Sequence, residues 1–388
     1  MPAASVKVRG RPLGGKHKWL GGALVQDLYF AVPSHSRQVL RVDPKLEEVS
    51  FLEAPSDDVG ATKYKWLRAV ATEDAVFGIP CCADRVLRVD VSGTVSTLAV
   101  PAEEGVDSWR WHGGQLADDG CIYAPPANSR HVLRVDVDAR STSLLPIEGR
   151  REEESSERGS QFYGGILDDR GTVWGVPFRS DAVLKARRGR ATCIETTCRG
   201  FEQNHHGGLK CERTGAVFGF PANADKVLRV DPETDDVTLL QVPGPRGRYQ
   251  WGGGVQCPKT GIIYGIPSDA PDVLRVDPVA RTVSRFGADF FAPYQKNKFQ
   301  NALRGSDGAF YAIPCDADYV LRIDPENDDL ARVGLGCLPE GKDKFQGGFR
   351  YGDTIWAIPE NADYVMKLDL RDFNIDLIGE TTHPPINQ

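Results

Sequence analysis

The chain has 388 residues, a formal net charge of -7 and a hydrophobic content of 40%. The negative charge argues against a nucleic-acid-binding protein, and no run of 18 apolar residues could cross a membrane as a helix. The first ten residues contain no apolar stretch typical of a signal peptide, and the nine cysteines keep no zinc-like or disulfide-like spacing. We therefore expect a cytoplasmic protein with reduced thiols, without metal or cofactor, whose partners include neither nucleic acid nor membrane.

A short apolar run that ends in proline recurs along the chain at a nearly fixed period. The first two copies are Tyr29-Phe-Ala-Val-Pro33 and Val76-Phe-Gly-Ile-Pro80. The eight prolines, spaced by 44 to 51 residues, are Pro33, Pro80, Pro126, Pro177, Pro221, Pro267, Pro314 and Pro359. A period of this length indicates an array of supersecondary units, none of which can bury its apolar face alone.

Each unit contains four short runs rich in β-branched and aromatic residues, as residues 248–286 illustrate. The four predicted strands of this unit are Gln250–Gln256, Ile262–Ile266, Asp272–Asp277 and Thr282–Phe286. Because proline cannot donate to a strand ladder, Pro267 is expected to end the second strand. Asp277 and Pro278 are typical turn residues and are expected to join the third strand to the fourth.

Four antiparallel strands repeated eight times predict an all-β fold, an eight-bladed β-propeller with about 46 residues per blade. Glycine pairs before the second strand suit first strands that crowd around a central channel. We expect one domain over residues 1–388, closed into a ring because the first and last repeats lack the atypical composition of solenoid caps. The expected blades are 14–55, 61–100, 106–146, 158–196, 200–242, 248–287, 295–335 and 341–379. A shorter ring with one extra blade-like unit is the alternative.

The phrases Ile263-Tyr-Gly-Ile-Pro267 and Val273-Leu-Arg-Val-Asp277 resemble the repeats of virginiamycin B lyase-like, gluconolactonase-like and NHL-type propellers. Those repeats also have an aromatic second strand and a third strand of Val/Ile-x-Arg-Ile-Asp type, although their rings usually have six or seven blades. The resemblance implies the propeller fold over nearly the whole chain, while its motif is shared by unrelated activities. The lyase-like enzymes use a histidine beside a metal-binding carboxylate, and calcium-dependent gluconolactonases use a carboxylate cage. No Asp or Glu occupies the aligned first-strand positions here.

One polar position recurs three residues before the first residue of the glycine pair. It is occupied by Lys18, Lys65, Arg110, Gln161, Asn204, Gln250, Lys298 and Lys344. Since eight first strands would begin around one channel mouth, these residues are expected to form a ring of five cations and three amides. Such a ring would focus positive potential on an anionic ligand. The alternative is that the lysines pack over neighbouring aromatic rings and pair with acids of nearby loops.

Departures from the repeat are better functional candidates, because the fold does not demand them. The second unit has Arg68 where most other units have the first glycine of the pair, and the seventh unit has Asn301 there. We therefore add both residues to the expected ligand-binding set at the channel mouth.

Histidines gather at the same end of the first strands. The fifth unit has the pair His205 and His206, the third has His112, and Tyr163 lies in the unit between them. A neutral histidine there could act as a general base, and the tyrosine could donate a proton. Packing and hydrogen bonding are the alternative for all four side chains.

These features predict a non-catalytic binding or scaffold propeller, whose cationic mouth takes an anionic small molecule or an acidic protein segment. The alternative is a small-molecule enzyme, lyase-like or hydrolase-like, that uses the histidines and the tyrosine of the same mouth. The sequence contains neither a phosphate-binding glycine loop nor a Gly-x-Ser-x-Gly nucleophile motif. It leaves the ligand and the oligomeric state open.

Overall fold

The computed structural model describes residues 5–55, 60–149, 161–196 and 204–381. Within these ranges the regular secondary structure consists of 33 strands, and no helix there is long and apolar enough to cross a membrane. The predicted starts of the fourth and fifth blades, at residues 158 and 200, lie outside the described residues.

After an N-terminal strand, β1 (Val6–Arg9), the chain forms eight groups of four strands, one group per blade. Blade 1 contains β2 (Trp19–Val25), β3 (Leu28–Pro33), β4 (Gln38–Asp43) and β5 (Glu48–Glu53). Blade 2 contains β6 (Trp66–Ala71), β7 (Ala75–Pro80), β8 (Arg85–Asp90) and β9 (Val95–Ala99). Blade 3 contains β10 (Gln115–Leu116), β11 (Cys121–Ala124), β12 (His131–Asp136) and β13 (Ser141–Glu148). Blade 4 contains β14 (Phe162–Leu167), β15 (Val173–Pro177), β16 (Ala182–Arg187) and β17 (Arg190–Glu195).

The second half of the ring repeats this order. Blade 5 contains β18 (His205–Lys210), β19 (Val217–Pro221), β20 (Lys226–Val230) and β21 (Val237–Gln241). Blade 6 contains β22 (Trp251–Gln256), β23 (Ile263–Pro267), β24 (Val273–Asp277) and β25 (Thr282–Phe286). Blade 7 contains β26 (Phe299–Arg304), β27 (Phe310–Pro314), β28 (Val320–Asp324) and β29 (Asp329–Val333). Blade 8 contains β30 (Phe345–Tyr351), β31 (Thr354–Pro359), β32 (Val365–Asp369) and β33 (Ile375–Ile378).

The strands of each blade pair antiparallel in chain order, with the first strand beside the channel. The predicted all-β, eight-bladed propeller is therefore confirmed. In blade 6 the predicted strands agree with the observed ones to within one residue at each end, and Pro267 ends β23 as expected. In blade 3, β13 extends to Glu148, beyond the predicted blade end at 146, because it pairs in parallel with β17 of blade 4.

The hydrophobic core lies between adjacent blades. One buried cluster combines Phe77 and Val86 of blade 2 with Trp111, Ile122 and Leu133 of blade 3. The residue two positions before the glycine pair is fully or almost fully buried in every blade, as a packing role predicts. These residues are Trp19, Trp66, Trp111, Phe162, His205, Trp251, Phe299 and Phe345. Because each blade covers a face of the next one, the ring is stable only when it closes.

The ring closes between blades 8 and 1. Tyr29 of blade 1 stacks on Phe349 of blade 8 with their ring centroids 4.5 Å apart. On the outer side β1 pairs in parallel with β33, so that the N-terminal segment adds a fifth strand to blade 8. The alternative of a shorter ring with an extra unit is therefore wrong.

Removing the chain up to Arg9 should weaken this closure without abolishing the fold. The strand β1 contributes ladder hydrogen bonds and the contact of Val6 with the core of blade 8, but most of its residues are exposed. We expect the free energy of unfolding to fall by about 1 to 2 kcal/mol, measured by denaturant titration. An unchanged unfolding midpoint in the truncated chain would contradict this role of β1.

Candidate functional site

The first-strand cations do not line an open mouth. Each of the five is no more than 5% exposed, and they are Lys18, Lys65, Arg110, Lys298 and Lys344. Their side-chain nitrogens donate to backbone carbonyls, which in four of the five belong to the preceding blade. Lys298 Nζ, for example, donates to the carbonyl oxygens of Ser268, Ala270 and Gln295 at 2.8, 2.8 and 3.1 Å. The structure thus corrects the predicted cationic ring, because its members tie consecutive blades together.

The alternative is that these lysines pack over aromatic rings and pair with acids of nearby loops. The packing is observed, but among the described residues the acid pairs are not. Lys18 Nζ and Lys65 Nζ each lie 5.9 Å from the centre of the indole ring that follows them in the chain. Their ammonium partners are carbonyl oxygens rather than carboxylates. Burial lowers the pKa of Lys298 to about 8, so this side chain is still mostly protonated at neutral pH.

The three amides of the same position are buried as well, and they are Gln161, Asn204 and Gln250. Gln250 Nε2 donates to the carbonyl oxygen of Ala224 in blade 5 at 3.2 Å. This bond has the same inter-blade direction as the bonds of the lysines. The position is therefore buried in all eight blades, and its residues serve contacts within and between blades.

His205 also has a structural position. It is fully buried, and its Nε2 donates to the carbonyl oxygen of Lys226 at 3.1 Å. In blades 1, 2, 3 and 6 the indole nitrogen of the equivalent tryptophan donates to the corresponding carbonyl of its own blade. His205 therefore replaces a tryptophan and does not reach the channel, which corrects its predicted place in a catalytic set.

Arg68 is the predicted cation that does reach the channel. It lies at the bulge where the register between β6 and β7 shifts, and its backbone is left-handed, with φ of 62°. Its side chain runs across Gly113 of blade 3, where a Cβ would lie 3.2 Å from Arg68 Cδ. The charge of the guanidinium acts on the phenol of Tyr163 and opposes the rise in its pKa that burial causes. In the part of the chain that the structure describes, no carboxylate lies within ion-pair distance of Arg68.

His112, Tyr163 and His206, on three successive blades, form a stack at the channel mouth. The Tyr163 ring centroid lies 3.5 Å from that of His112 and 3.9 Å from that of His206, with both ring pairs inclined by 35°. Phe178 packs against the same tyrosine, with centroids 5.2 Å apart. Three of the four residues in the predicted catalytic set are thus neighbours, while their catalytic role stays a prediction.

The stack carries no charge near pH 7. Burial lowers the pKa of His206 to about 4 and holds the pKa of His112 well below its usual range, and the nearby Arg68 charge adds to both shifts. Burial also raises the pKa of Tyr163, although the charge of Arg68 opposes this. His206 Nδ1 lies 3.0 Å from the carbonyl oxygen of Gly252, so it carries the proton and donates it.

Two cavities meet at this stack. The channel cavity has a volume of about 390 Å³ and is lined by first-strand glycines together with Tyr29 and Arg68. The side cavity has a volume of about 420 Å³ and lies between blades 4, 5, 6 and 7. Tyr163, Gly252 and Gln300 line both cavities, which are therefore adjacent.

Asn301, the other departure from the glycine pair, also lines the channel cavity. Its Oδ1 accepts the backbone N–H of Ala302 at 2.8 Å. The structure places Asn301 where the sequence predicts it, and its part in ligand binding stays a prediction.

Sequence analysis missed an acid at the mouth. Glu360 follows the proline of β31, is 7% exposed, and its Oε1 lies 2.7 Å from Nδ1 of His17. Burial raises the pKa of Glu360 to about 7, although the hydrogen bond from His17 and the charge of Lys18 oppose the shift. The equivalent residues of the other blades carry no carboxylate, and they are Ser34, Cys81, Ala127, Phe178, Ala222, Ser268 and Cys315. An alignment on the prolines, in addition to the glycine pairs, would have singled out Glu360.

The chemistry that the described residues offer at the mouth is one cation, a neutral aromatic stack and a buried carboxyl group. Within residues 5–55, 60–149, 161–196 and 204–381, no cluster of three or more His, Cys, Asp or Glu side chains could hold a metal ion. The eight cysteines in those ranges carry free thiols.

No protein-family model matches the chain, and no curated protein matches its sequence. An inactive variant of virginiamycin B lyase from Staphylococcus aureus, with quinupristin, is 13% identical, with a TM-score of 0.57 over 92% of this chain and 96% of that chain. The computationally designed Ika8 protein is 10% identical, with a TM-score of 0.63 over 93% and 100% of the two chains. Hydrazine synthase from Kuenenia stuttgartiensis is 10% identical, with a TM-score of 0.54 over 92% and 96%. At these identities the likeness shows the fold alone, and it confirms the resemblance to lyase-like propellers as a resemblance of fold.

Proposed function

We propose that the protein binds a small monoanionic ligand, a carboxylate, in the channel cavity, and that Arg68 is the cation that holds it. The observation that carries this proposal is the guanidinium of Arg68, which lies in the channel without a carboxylate partner among the described residues. A guanidinium in a concave, partly desolvated site attracts anions strongly, because low-dielectric walls weaken screening by water.

The backbone of Arg68 supports a functional rather than a structural explanation. A left-handed conformation costs a non-glycine residue about 1 to 2 kcal/mol. At this position blades 1, 3, 4, 5 and 8 have glycines with positive φ, namely Gly21, Gly113, Gly164, Gly207 and Gly347. Folding alone would therefore favour glycine in blade 2, and the strained arginine points to a selected side chain.

The charge of the ligand is inferred from the charges around the channel. Arg68 is a single cation, the stacked histidines are neutral near pH 7, and Lys18 donates its ammonium protons to carbonyls. One guanidinium holds one carboxylate through two parallel hydrogen bonds. A phosphate dianion would need a second cation, so we propose a carboxylate.

The second candidate is a small-molecule enzyme of the lyase or hydrolase type. Since His206 Nδ1 donates to Gly252, its Nε2 carries the free lone pair of a general base beside the Tyr163 phenol. However, no carboxylate of the described residues orients this imidazole, so we rank binding first. Turnover that is lost in His206→Gln while carboxylate affinity is retained would reverse this order.

The test is calorimetric titration of the wild type and Arg68→Gly with acetate, benzoate and inorganic phosphate at low ionic strength. Arg68→Gly introduces the residue that six of the other seven blades have, so it should fold at least as stably as the wild type, whereas its carboxylate affinity should fall about 10- to 100-fold.

Arg140→Gly is the matched control. Arg140 is also left-handed, with φ of 49°, but it is exposed on the turn between β12 and β13. It should bind carboxylates like the wild type. Equal carboxylate affinities of wild type and Arg68→Gly would overturn the proposal that Arg68 holds the ligand. Tighter binding of phosphate than of acetate would overturn the proposal that the ligand is a monoanion.

A further inference from the structure

We infer that the side cavity binds a flat aromatic ring, so that the ligand is an aryl or arylalkyl carboxylate with its ring beside Phe178 and its carboxylate at Arg68. The carboxylate end of this inference rests on the proposed function, and the aromatic end rests on the side cavity alone. Both cavities have volumes typical of small-molecule sites.

A missing side chain at one position and a small one at another open the side cavity. The position that carries Tyr163 in blade 4 and His206 in blade 5 is a glycine, Gly252, in blade 6. The residue after the second-strand proline is Phe178 in blade 4 but Ala222 in blade 5. All five residues line the side cavity. Small residues such as Ser34 and Ala127 follow this proline in other blades as well, so of the two small residues only Gly252 departs from the repeat, as the arginine in the channel does.

The walls of the side cavity suit a flat apolar group. Phe178, Tyr249 and Trp251 line it, and Trp251 Nε1 already donates to the carbonyl oxygen of Asp272 at 3.0 Å. Trp251 is fully buried, so the accessible rings of this wall are those of Phe178 and Tyr249, which are 8% and 39% exposed. Aromatic walls favour an aromatic guest through offset or edge-to-face contacts as well as through buried area.

The charges orient such a ligand. Asp269 lines the side cavity, where its Oδ1 accepts the backbone N–H of Asn297 at 2.7 Å. Lys296 lines the same cavity and offsets the charge of Asp269, so the side cavity offers a carboxylate no net attraction, whereas Arg68 attracts it from the channel. Tyr163 lines both cavities and shares the channel lining with Arg68, so a ligand that joins the two subsites passes this ring.

The side cavity is accessible from the surface at Tyr249 and Lys296. Tyr249 is 39% exposed, and Lys296 is exposed as well. Because both line the cavity, a small ring can enter there without unfolding of a blade.

The test compares propionate, 3-phenylpropionate and the neutral 3-phenylpropanol by calorimetry. Wild type should bind 3-phenylpropionate at least about tenfold more tightly than propionate, since a buried phenyl ring adds apolar area. Gly252→Leu introduces the residue that blades 1 and 2 have at this position, Leu20 and Leu67. It should reduce the affinity for both phenyl probes about tenfold.

A second variant removes a wall without crowding the backbone. A Cβ at Gly252 would lie 3.2 Å from the carbonyl oxygen of Gln300, so Gly252→Leu requires a small shift and its fold must be checked by thermal melting. Tyr249→Asn introduces the residue that blade 7 has at the equivalent position, Asn297, where the backbone is also left-handed. It should weaken phenyl-probe binding several-fold. Trp109→Asn, the same change in blade 3, lies outside the side cavity and should have no effect.

The outcomes separate the two proposals. If 3-phenylpropionate binds no more tightly than propionate, or if both cavity variants keep the preference, the aromatic subsite is wrong, while Arg68-dependent propionate binding still supports the proposed function. If 3-phenylpropanol binds as tightly as 3-phenylpropionate and only the cavity variants weaken both, the aromatic subsite is right and the carboxylate function is wrong.

Discussion

Replacing Lys298 by methionine is expected to lower the free energy of unfolding by about 2 to 4 kcal/mol. Methionine keeps the length and the apolar stem of the side chain, so the loss reports on the ammonium group. That group donates to three carbonyl oxygens, of Ser268, Ala270 and Gln295, at a site that is 1% exposed. Without it the buried carbonyls lose a partner, which costs more than the hydrogen bonds themselves contribute.

The control for this variant is two residues away. Lys296→Met removes the same charge from the same loop, but Lys296 is exposed and should change the stability by less than about 0.5 kcal/mol. Denaturant titration of the two variants measures the difference directly. Similar small losses in both would show that the buried lysines do not hold the blades together.

Lys298→Met also tests whether Lys298 binds an anion or only holds two blades together. If Lys298 were part of an anion-binding ring, Lys298→Met would weaken carboxylate binding as strongly as it weakens folding. Since its ammonium group is engaged with Ser268 and Ala270, we expect its folded fraction to bind acetate like the wild type. A large loss of affinity with unchanged stability would restore the cationic ring.

The propeller was predictable because its repeat combines several signals that agree. The alternation of β-branched residues, the proline at the end of the second strand and the turn after Asp277 indicate the same strands, and they match the observed ones in blade 6. Closure was harder to predict in detail. The parallel pairing of β1 with β33 joins segments with little resemblance to a blade strand, and its register depends on the finished ring.

The predicted cationic ring failed for a physical reason that the sequence partly reveals. A lysine has a long apolar stem, so Lys65 folds back over Trp66 and reaches the carbonyls of the preceding blade. Every residue at that position is an N–H donor, and none is an acid. An anion-binding ring does not require an N–H donor in every blade. A position that faces backbone carbonyls does require one.

The candidate site was predictable only where a side chain had been added to the repeat. Arg68 was found because it replaces a glycine, and its guanidinium does lie in the channel. The side cavity was missed because it results from a side chain that is absent, at Gly252, beside the small Ala222. Its volume depends on how blades 5, 6 and 7 pack against one another. That packing cannot be predicted from the sequence of any single repeat.

Glu360→Gln is expected to make the protein more stable at alkaline pH and to flatten its pH dependence. Burial raises the pKa of Glu360 from its ordinary value of 4.5 to about 7, against the opposing influence of His17 and Lys18. A carboxyl group whose pKa is raised by folding binds its proton more tightly in the folded protein than in the unfolded chain. Between about pH 4.5 and 7 the free energy of unfolding therefore falls as the pH rises.

The expected size of this loss follows from the shift. Each pKa unit corresponds to about 1.4 kcal/mol, and the hydrogen bond from His17 to Glu360 offsets part of the cost of the buried charge. We expect wild type to lose about 1 to 3 kcal/mol relative to Glu360→Gln between about pH 5 and pH 8. Glutamine keeps an oxygen that accepts the hydrogen bond of His17, so the variant removes the titration and little else.

Denaturant titrations of both proteins across this pH range measure the effect. Glu340→Gln is the control, because Glu340 is exposed and its replacement should leave the pH profile of the wild type unchanged. Parallel profiles of wild type and Glu360→Gln would contradict the raised pKa of Glu360. If the free energy of unfolding falls more steeply with pH in wild type and in the Glu340→Gln control than in Glu360→Gln, the propeller retains a buried acid at a cost to stability. It retains the strained backbone of Arg68 at a similar cost. Both costs fall on residues at the channel and its mouth, which is where selection for binding would place them.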